Sequence, residues 1–136
     1  MIPKNILVLV SGILIDSDEK ILLLQRNNQN SSYQGYWQLP EGKIEFGEQS
    51  EEALKRELLE EIGVKNASVK LCDVSASLMY AKGKNYHVVR IVYNVRTRDK
   101  IVLGEDHSEF NWFSIKDAKL LEQKIDGLAD ILEKLF

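Results

Sequence analysis

The segment GKIEFGEQSEEALKRELLEEIGV, Gly42 to Val64, carries the signal from which the fold is read. Leu54, Leu58 and Ile62 recur every four residues, so one stripe of a helix running from Ser50 to about Ile62 is apolar and seeks a core. Ser50 is placed to cap its start. Glu51 and Glu52 fall in the first turn, where the helix macrodipole favours negative charge, and Gly63 stands where a left-handed C-terminal cap is expected. Away from the apolar stripe, Glu57, Glu60 and Glu61 stand at i, i+3 and i+4, so their carboxylates project from one side. At 5 to 6 Å and an effective dielectric near 20, each close pair repels by roughly 3 kcal/mol; in full solvent the figure falls to a few tenths. Magnitude alone leaves a solvated face and a cation site both open.

The charge of the whole chain conceals this concentration. The 136 residues carry a formal charge of −3, yet residues 41–61 hold eight acids against three bases, a local charge of −5. The remaining 115 residues hold thirteen acids and fifteen bases, or +2. A second pole lies at Lys82 to Lys100, with six bases and one acid, Asp99. So small an excess of bases, in an acidic chain, does not point to nucleic acid as a partner.

Outward from the helix, length and 44% apolar residues predict one domain, residues 1–136, with a core of its own. The longest apolar run, Ile6 to Ile15, is half what a membrane span needs, and acids rather than small residues follow it, so neither an anchor nor an export signal is expected. Cys72 is the single cysteine, which excludes an intrachain disulfide and makes the cytoplasm the expected location. Ile6–Ile15 and Ile21–Leu24 read as strands joined by a hairpin turn over Asp16–Lys20. Segments of roughly Ser68–Tyr80 and Tyr86–Arg98 read as a second hairpin, and Glu109–Phe113 as a further strand. Ser114 with Asp117 resembles a capping box, and Leu128, Ile131, Leu132 and Leu135 give the last helix an apolar face. Strands, helix, strands, helix predict an α/β fold in which helices pack on a mixed sheet.

The spacing in the opening segment resembles the Nudix box, G-x5-E-x7-R-E-U-x-E-E-x-G-U with U apolar. Gly42, Glu48, Arg56, Glu57, Leu58, Glu60, Glu61, Gly63 and Val64 fill every specified position. Seven fixed identities at average residue frequencies give a chance match well below roughly one in a million. Trp37-Gln38-Leu39-Pro40 and Trp112-Phe113 flank the box as they commonly do in that family. The resemblance implies a Nudix fold, a mixed sheet sandwiched between helices. It also implies hydrolysis of a phosphoanhydride in a nucleoside diphosphate linked to another moiety, with Mg2+ or Mn2+ as cofactor. Hard cations with oxygen ligands reverse the sign of an acidic helix and let an anionic diphosphate approach.

Carried over by position, the resemblance gives Glu60 and Glu61 as principal metal ligands, and Glu57 as a further ligand or the general base. The Gly42 carbonyl can join the metal shell. Glu48 and Arg56 form a bracing ion pair, Glu48 standing near enough to be a secondary ligand. Glu105, Asp106 and Glu109 are candidates for a late-loop acid, with Asp106 and Glu109 equally favoured, and His107 is an alternative base. Many members carry Pro-Gly-Gly where this chain has Pro40-Glu41-Gly42, and Glu41 reads as a solvated turn residue. Arg90, Arg96 and Arg98, with Lys82 and Lys84, are candidate contacts for distal phosphates, against a solvated strand face. Tyr33, Tyr36, Trp37, Phe46, Tyr80 and Tyr86 are candidates to stack on a base, Trp37 and Tyr80 foremost. Tyr80 lies near where diadenosine polyphosphate hydrolases of the family often carry a tyrosine. The expected substrate is a dinucleoside polyphosphate or nucleoside triphosphate, followed by ADP-ribose or a nucleotide sugar. A non-catalytic nucleotide-binding domain is the alternative, and a homodimer is possible.

Overall fold

The computed structural model describes residues 5–27, 33–105 and 107–136. The run Ile21-Leu22-Leu23-Leu24 explains the layering best. Successive strand side chains point to opposite faces, and all four of these are wholly buried, so strand β2 (Ile21–Arg26) is covered on both sides. Leu22 and Leu24 join one core with Leu54, Leu58 and Ile62 of helix α1 (Ser50–Ile62); Ile21 and Leu23 join a second with Leu128, Ile131 and Leu132 of α3 (Leu128–Leu135). The helices thus lie on either side of the sheets.

This burial overrides the expected first hairpin. Strand β1 (Asn5–Leu14) and β2 touch through a single antiparallel bridge, Ile15 to Ile21, and then diverge into different sheets. The turn itself forms as expected: Asp16 Oδ1 accepts the amides of Asp18 and Lys20, each at 2.9 Å. β2 sits between β3 (Trp37–Gln38) and β7 (His107–Phe113), antiparallel to both. β1 sits between β4 (Glu41–Lys43), antiparallel, and β6 (Lys84–Thr97), parallel, with β5 (Ala67–Ala81) at the outer edge antiparallel to β6. The second hairpin is confirmed, with a tighter turn: Lys82 and Gly83 alone connect the strands, both at positive φ.

Helix α1 spans the expected residues, and Gly63 closes it at φ 67°, its N–H returning to the Leu59 carbonyl at 3.1 Å. Ser50 does not cap it. Gln49 occupies the cap position without a side-chain hydrogen bond, and the Ser50 hydroxyl instead pairs at 2.6 Å with Tyr93, a buried phenol on β6 that needs a polar partner. Ser114 does cap α2 (Ile115–Leu120), accepting the Asp117 amide at 3.1 Å.

Candidate active site

Helix α1 packs beside β4 so closely that a Cβ on Gly42 would lie 2.0 Å from the Glu57 carboxyl carbon. Only glycine leaves Glu57 room to reach the strand. At the end of α1, the Gly104 amide donates to the Glu61 carbonyl at 2.8 Å, and a Cβ there would meet the Glu60 carbonyl oxygen at 2.4 Å. These two close approaches draw the helix, β4 and the loop before β7 around a cavity of ≈ 210 Å³. Glu41, Glu57, Glu60, Glu61 and Glu105 line it, with Arg26, Gln38 and His107.

Arg56 braces the outer side. Its guanidinium grips Glu48 with two bonds, Nε to Oε2 at 2.8 Å and Nη2 to Oε1 at 3.0 Å, and also donates to the Lys43 carbonyl at 3.0 Å. Hydrogen bonds from Arg56, joined by the Glu45 amide, draw the Glu48 carboxyl down to about 2. Nη1 reaches Glu57 Oε1 at 2.7 Å and Glu60 Oε2 at 3.4 Å. Glu48 and Arg56 therefore tie loop to helix as expected.

Glu61 is deeply set, its side chain 11% exposed. Burial raises its proton affinity well above the ordinary carboxylate value; the nearby charges of Glu57 and Glu41 add to this, while the Glu41 amide, donating to Glu61 Oε1 at 2.8 Å, opposes it. Glu57 is raised by burial too, against the pull of Arg56. His107 Nε2 lies 3.6 Å from Glu61 Oε2. It is buried at the start of β7.

Glu41 departs most from expectation. It is buried, not solvated: its carboxylate accepts from Ser11 Oγ at 2.8 Å and from Arg90 Nε and Nη2 at 3.1 and 3.3 Å. Arg90 is likewise buried, at 2% exposure, and its third nitrogen donates to Ser77 Oγ at 3.2 Å. The solvated strand face expected for Arg90 is thereby overturned. Glu41 and Arg90 form the wall between the acidic cavity and a second cleft of ≈ 300 Å³, whose lining includes Tyr33, Met79, Lys82, Tyr86 and Arg90. Arg26, Gln38 and Glu41 line both, so the two compartments adjoin.

Several other candidates are not brought here. Tyr80 is 63% exposed on the face of β5 opposite the cleft, and lines neither compartment. Trp37 stacks edge-on against Phe113, ring centroids 4.9 Å apart, in the second core. Glu109 faces solvent opposite Gln25 in the β2–β7 ladder, outside the cavity, whereas Glu105 lines it; Asp106 lies outside the described residues. Arg96 and Arg98 are exposed beside Lys65, on a different surface. Gln38, Arg26 and the burial of Glu41 were missed. Of these, only Gln38 carried a signal, standing in the box's leading flank.

The donors fit a hard divalent cation: carboxylate oxygens whose burial and mutual repulsion are relieved by positive charge. Among the described residues, no three His, Cys, Asp or Glu side chains already form a closed cage, since Glu57 and Glu60 turn toward Arg56.

The α/β layering thus sets an acidic helix beside a polar cavity. The chain belongs to the NUDIX family: the NUDIX domain model matches residues 7–135. The 8-oxo-dGTP diphosphatase of Proteus vulgaris is 37% identical over 76 residues, covering 56% of this chain and 67% of that protein. The ADP-ribose pyrophosphatase of Methanocaldococcus jannaschii is 34% identical over 111 residues, 81% of this chain and 63% of that one. The chain thus spans about two thirds of these curated relatives. The structure of the MutT protein from Methanosarcina mazei Go1 superposes with a TM-score of 0.81 at 25% identity, covering 98% of this chain and 95% of that one.

Proposed function

We propose that this Nudix hydrolase, a single domain over residues 1–136, cleaves a nucleotide phosphoanhydride with the aid of Mg2+ or Mn2+. The observation that carries the proposal is that the carboxylate cavity adjoins the Tyr33–Tyr86 cleft, with Arg26, Gln38 and Glu41 lining both. Diphosphate and nucleoside each have a compartment, one polar and one partly apolar. Members of the family generally use divalent metals. Glu57, Glu60 and Glu61 would hold the cation with the Gly42 carbonyl, and Glu105 takes the late-loop place expected of Asp106 or Glu109. The bound metal would neutralise phosphate charge and lower the pKa of a water. Around it, Arg56 and Glu48 fix the helix face, the Glu41 amide orients Glu61, and Arg26 offers cationic contact to phosphate. Glu57 remains ligand or general base.

A nucleoside triphosphate leads as substrate. The tyrosine that favoured a dinucleoside polyphosphate, Tyr80, stands away from the cleft, and the names of the two relatives divide between a triphosphate and ADP-ribose. Among the described residues no helix is long and apolar enough to cross a membrane. A panel of nucleoside triphosphates, dinucleoside polyphosphates, ADP-ribose and nucleotide sugars, with products identified by mass, tests the proposal. Cleavage of a phosphoanhydride that stops with chelator and returns with Mg2+ is expected; binding without product across the panel would favour a nucleotide sensor.

Gly42→Ala probes the helix–strand approach. Because the obstructed group is the end of a flexible side chain, the fold is expected to persist while Glu57 is displaced, lowering kcat by ~10²-fold. Steady-state kinetics on the folded variant check this, and unchanged turnover would remove Glu57 from the machinery.

A further inference from the structure

The Tyr33 side chain joins the outer strands of the two sheets. It stands in the turn that leads into β3, outermost in one sheet, and its hydroxyl lies 2.8 Å from the Tyr80 carbonyl on β5, outermost in the other. Ala81 and Lys84 close the β5–β6 hairpin, so at the next pair, Tyr80 opposite Asn85, the carbonyl turns away from β6 and is left for an outside donor. The same hydroxyl lies 2.6 Å from Asp126 Oδ2. A phenol has one proton and both neighbours accept, so the shorter, charge-assisted bond to the Asp126 carboxylate is the principal hold. Burial, with that bond and charge added, raises the phenol to about 12, and it stays a donor throughout the neutral range.

Asp126 is itself set between two fixed points. Ahead of it, residues 123–125 lie along β3: the Trp37 amide donates to the Gln123 carbonyl at 2.8 Å, and the Ile125 amide to the Trp37 carbonyl at 3.0 Å. Behind it, the Gly127 backbone lies against the buried ion pair, where a Cβ would come within 2.5 Å of Arg90 Nη1 and 2.9 Å of Ser77 Oγ. The carboxylate between them has little freedom. Through it the Tyr33 ring is fixed where it lines the second cleft, with Leu9, Met79 and Tyr86 from the strands.

We infer that Tyr33 is a specificity-determining residue that packs against the nucleoside, and that Asp126 is the positioning residue that holds its ring in place. The inference rests on the cleft being the nucleoside compartment. An unanchored tyrosine would lose rotamer freedom when the nucleotide binds, whereas a ring already held by Asp126 has lost it in the fold. The anchor thus strengthens binding without touching the nucleotide.

Isothermal titration calorimetry in Mg2+ tests this with the β,γ-imido analogues of the common nucleoside triphosphates and with imidodiphosphate, which has no nucleoside. Tyr33→Phe and Asp126→Ala are each expected to weaken the nucleotide analogues by about 5- to 10-fold and to leave imidodiphosphate unchanged. Asp126→Asn keeps an acceptor and should bind nearly as the wild type does, and Tyr33→Phe/Asp126→Ala should bind no more weakly than either single variant. Asp126→Ala decides the matter if Tyr33→Phe does not fold. Equal losses for nucleotide and imidodiphosphate would make the tie purely structural and overturn the inference, as would additive losses or wild-type affinity in both variants. A wild type that binds none of the nucleotide analogues would remove the cleft as a nucleoside site, and the inference with it. One that binds them yet hydrolyses no triphosphate would refute the hydrolase reading alone.

Discussion

Glu61→Gln is expected to lower turnover by about 10²-fold or more while the protein stays folded. The amide keeps the shape of the carboxylate and can still accept the Glu41 amide through its oxygen, so the helix–strand contact survives. What disappears is a negative charge deep in the cavity. In metal-free protein the same change has a signature in stability. Burial raises the folded-state pKa of Glu61 above its unfolded value, so its contribution to stability is fully present below the unfolded value of about 4.5 and is lost as pH rises through the folded one. With chelator present, the wild type should therefore lose stability over that rise, and Glu61→Gln should lose less and be at least as stable at neutral pH. Denaturant titrations at several pH values measure the difference. A variant that is less stable at neutral pH would mean that the Glu61 charge is already compensated without metal.

Arg90→Met has the other large expected effect, on stability. Glu41 and Arg90 are both nearly inaccessible to solvent, and the pair is closed by Ser11 and Ser77. Removing the guanidinium leaves the Glu41 carboxylate buried beside Glu61 without a cation, a loss of about 3–5 kcal/mol. The double variant Arg90→Met/Glu41→Leu removes both charges and should recover most of it, because a well-packed apolar pair replaces a buried ion pair at little cost. Urea denaturation of the three proteins gives the coupling directly. A single variant costing less than ~1 kcal/mol would show that Glu41 finds solvent or another partner.

This pair also marks where sequence reasoning stops. Helix α1 was legible because stripe and stop are local: Leu54, Leu58, Ile62 and Gly63 stand at spacings that suit a helix and its left-handed cap, whereas the expected Ser50 cap gave way to a bond with Tyr93. The glutamates on its far side were legible through a long motif of fixed spacing. Whether Glu41 meets water or Arg90 depends on a strand 49 residues later, and no local pattern encodes that distance. Turn chemistry at Asp16–Lys20 correctly indicated a reversal, yet the four buried residues of β2 demanded cover on both faces and carried the strand into another sheet. Tyr80 failed as a candidate for a similar reason. The bulge at Leu71/Asp73 decides which side of β5 faces the cleft, and with it Met79 lines the cleft while Tyr80 points away.

The central claim is that the α1 carboxylates hold the divalent cation. Titration of Mn2+ followed by electron paramagnetic resonance tests it most directly, comparing the wild type with Glu60→Gln/Glu61→Gln in the presence of a non-hydrolysable nucleotide. The wild type should deplete the free-ion signal at low Mn2+, and the double variant should leave it nearly unchanged. Equal depletion by both proteins would place the metal elsewhere and contradict the site.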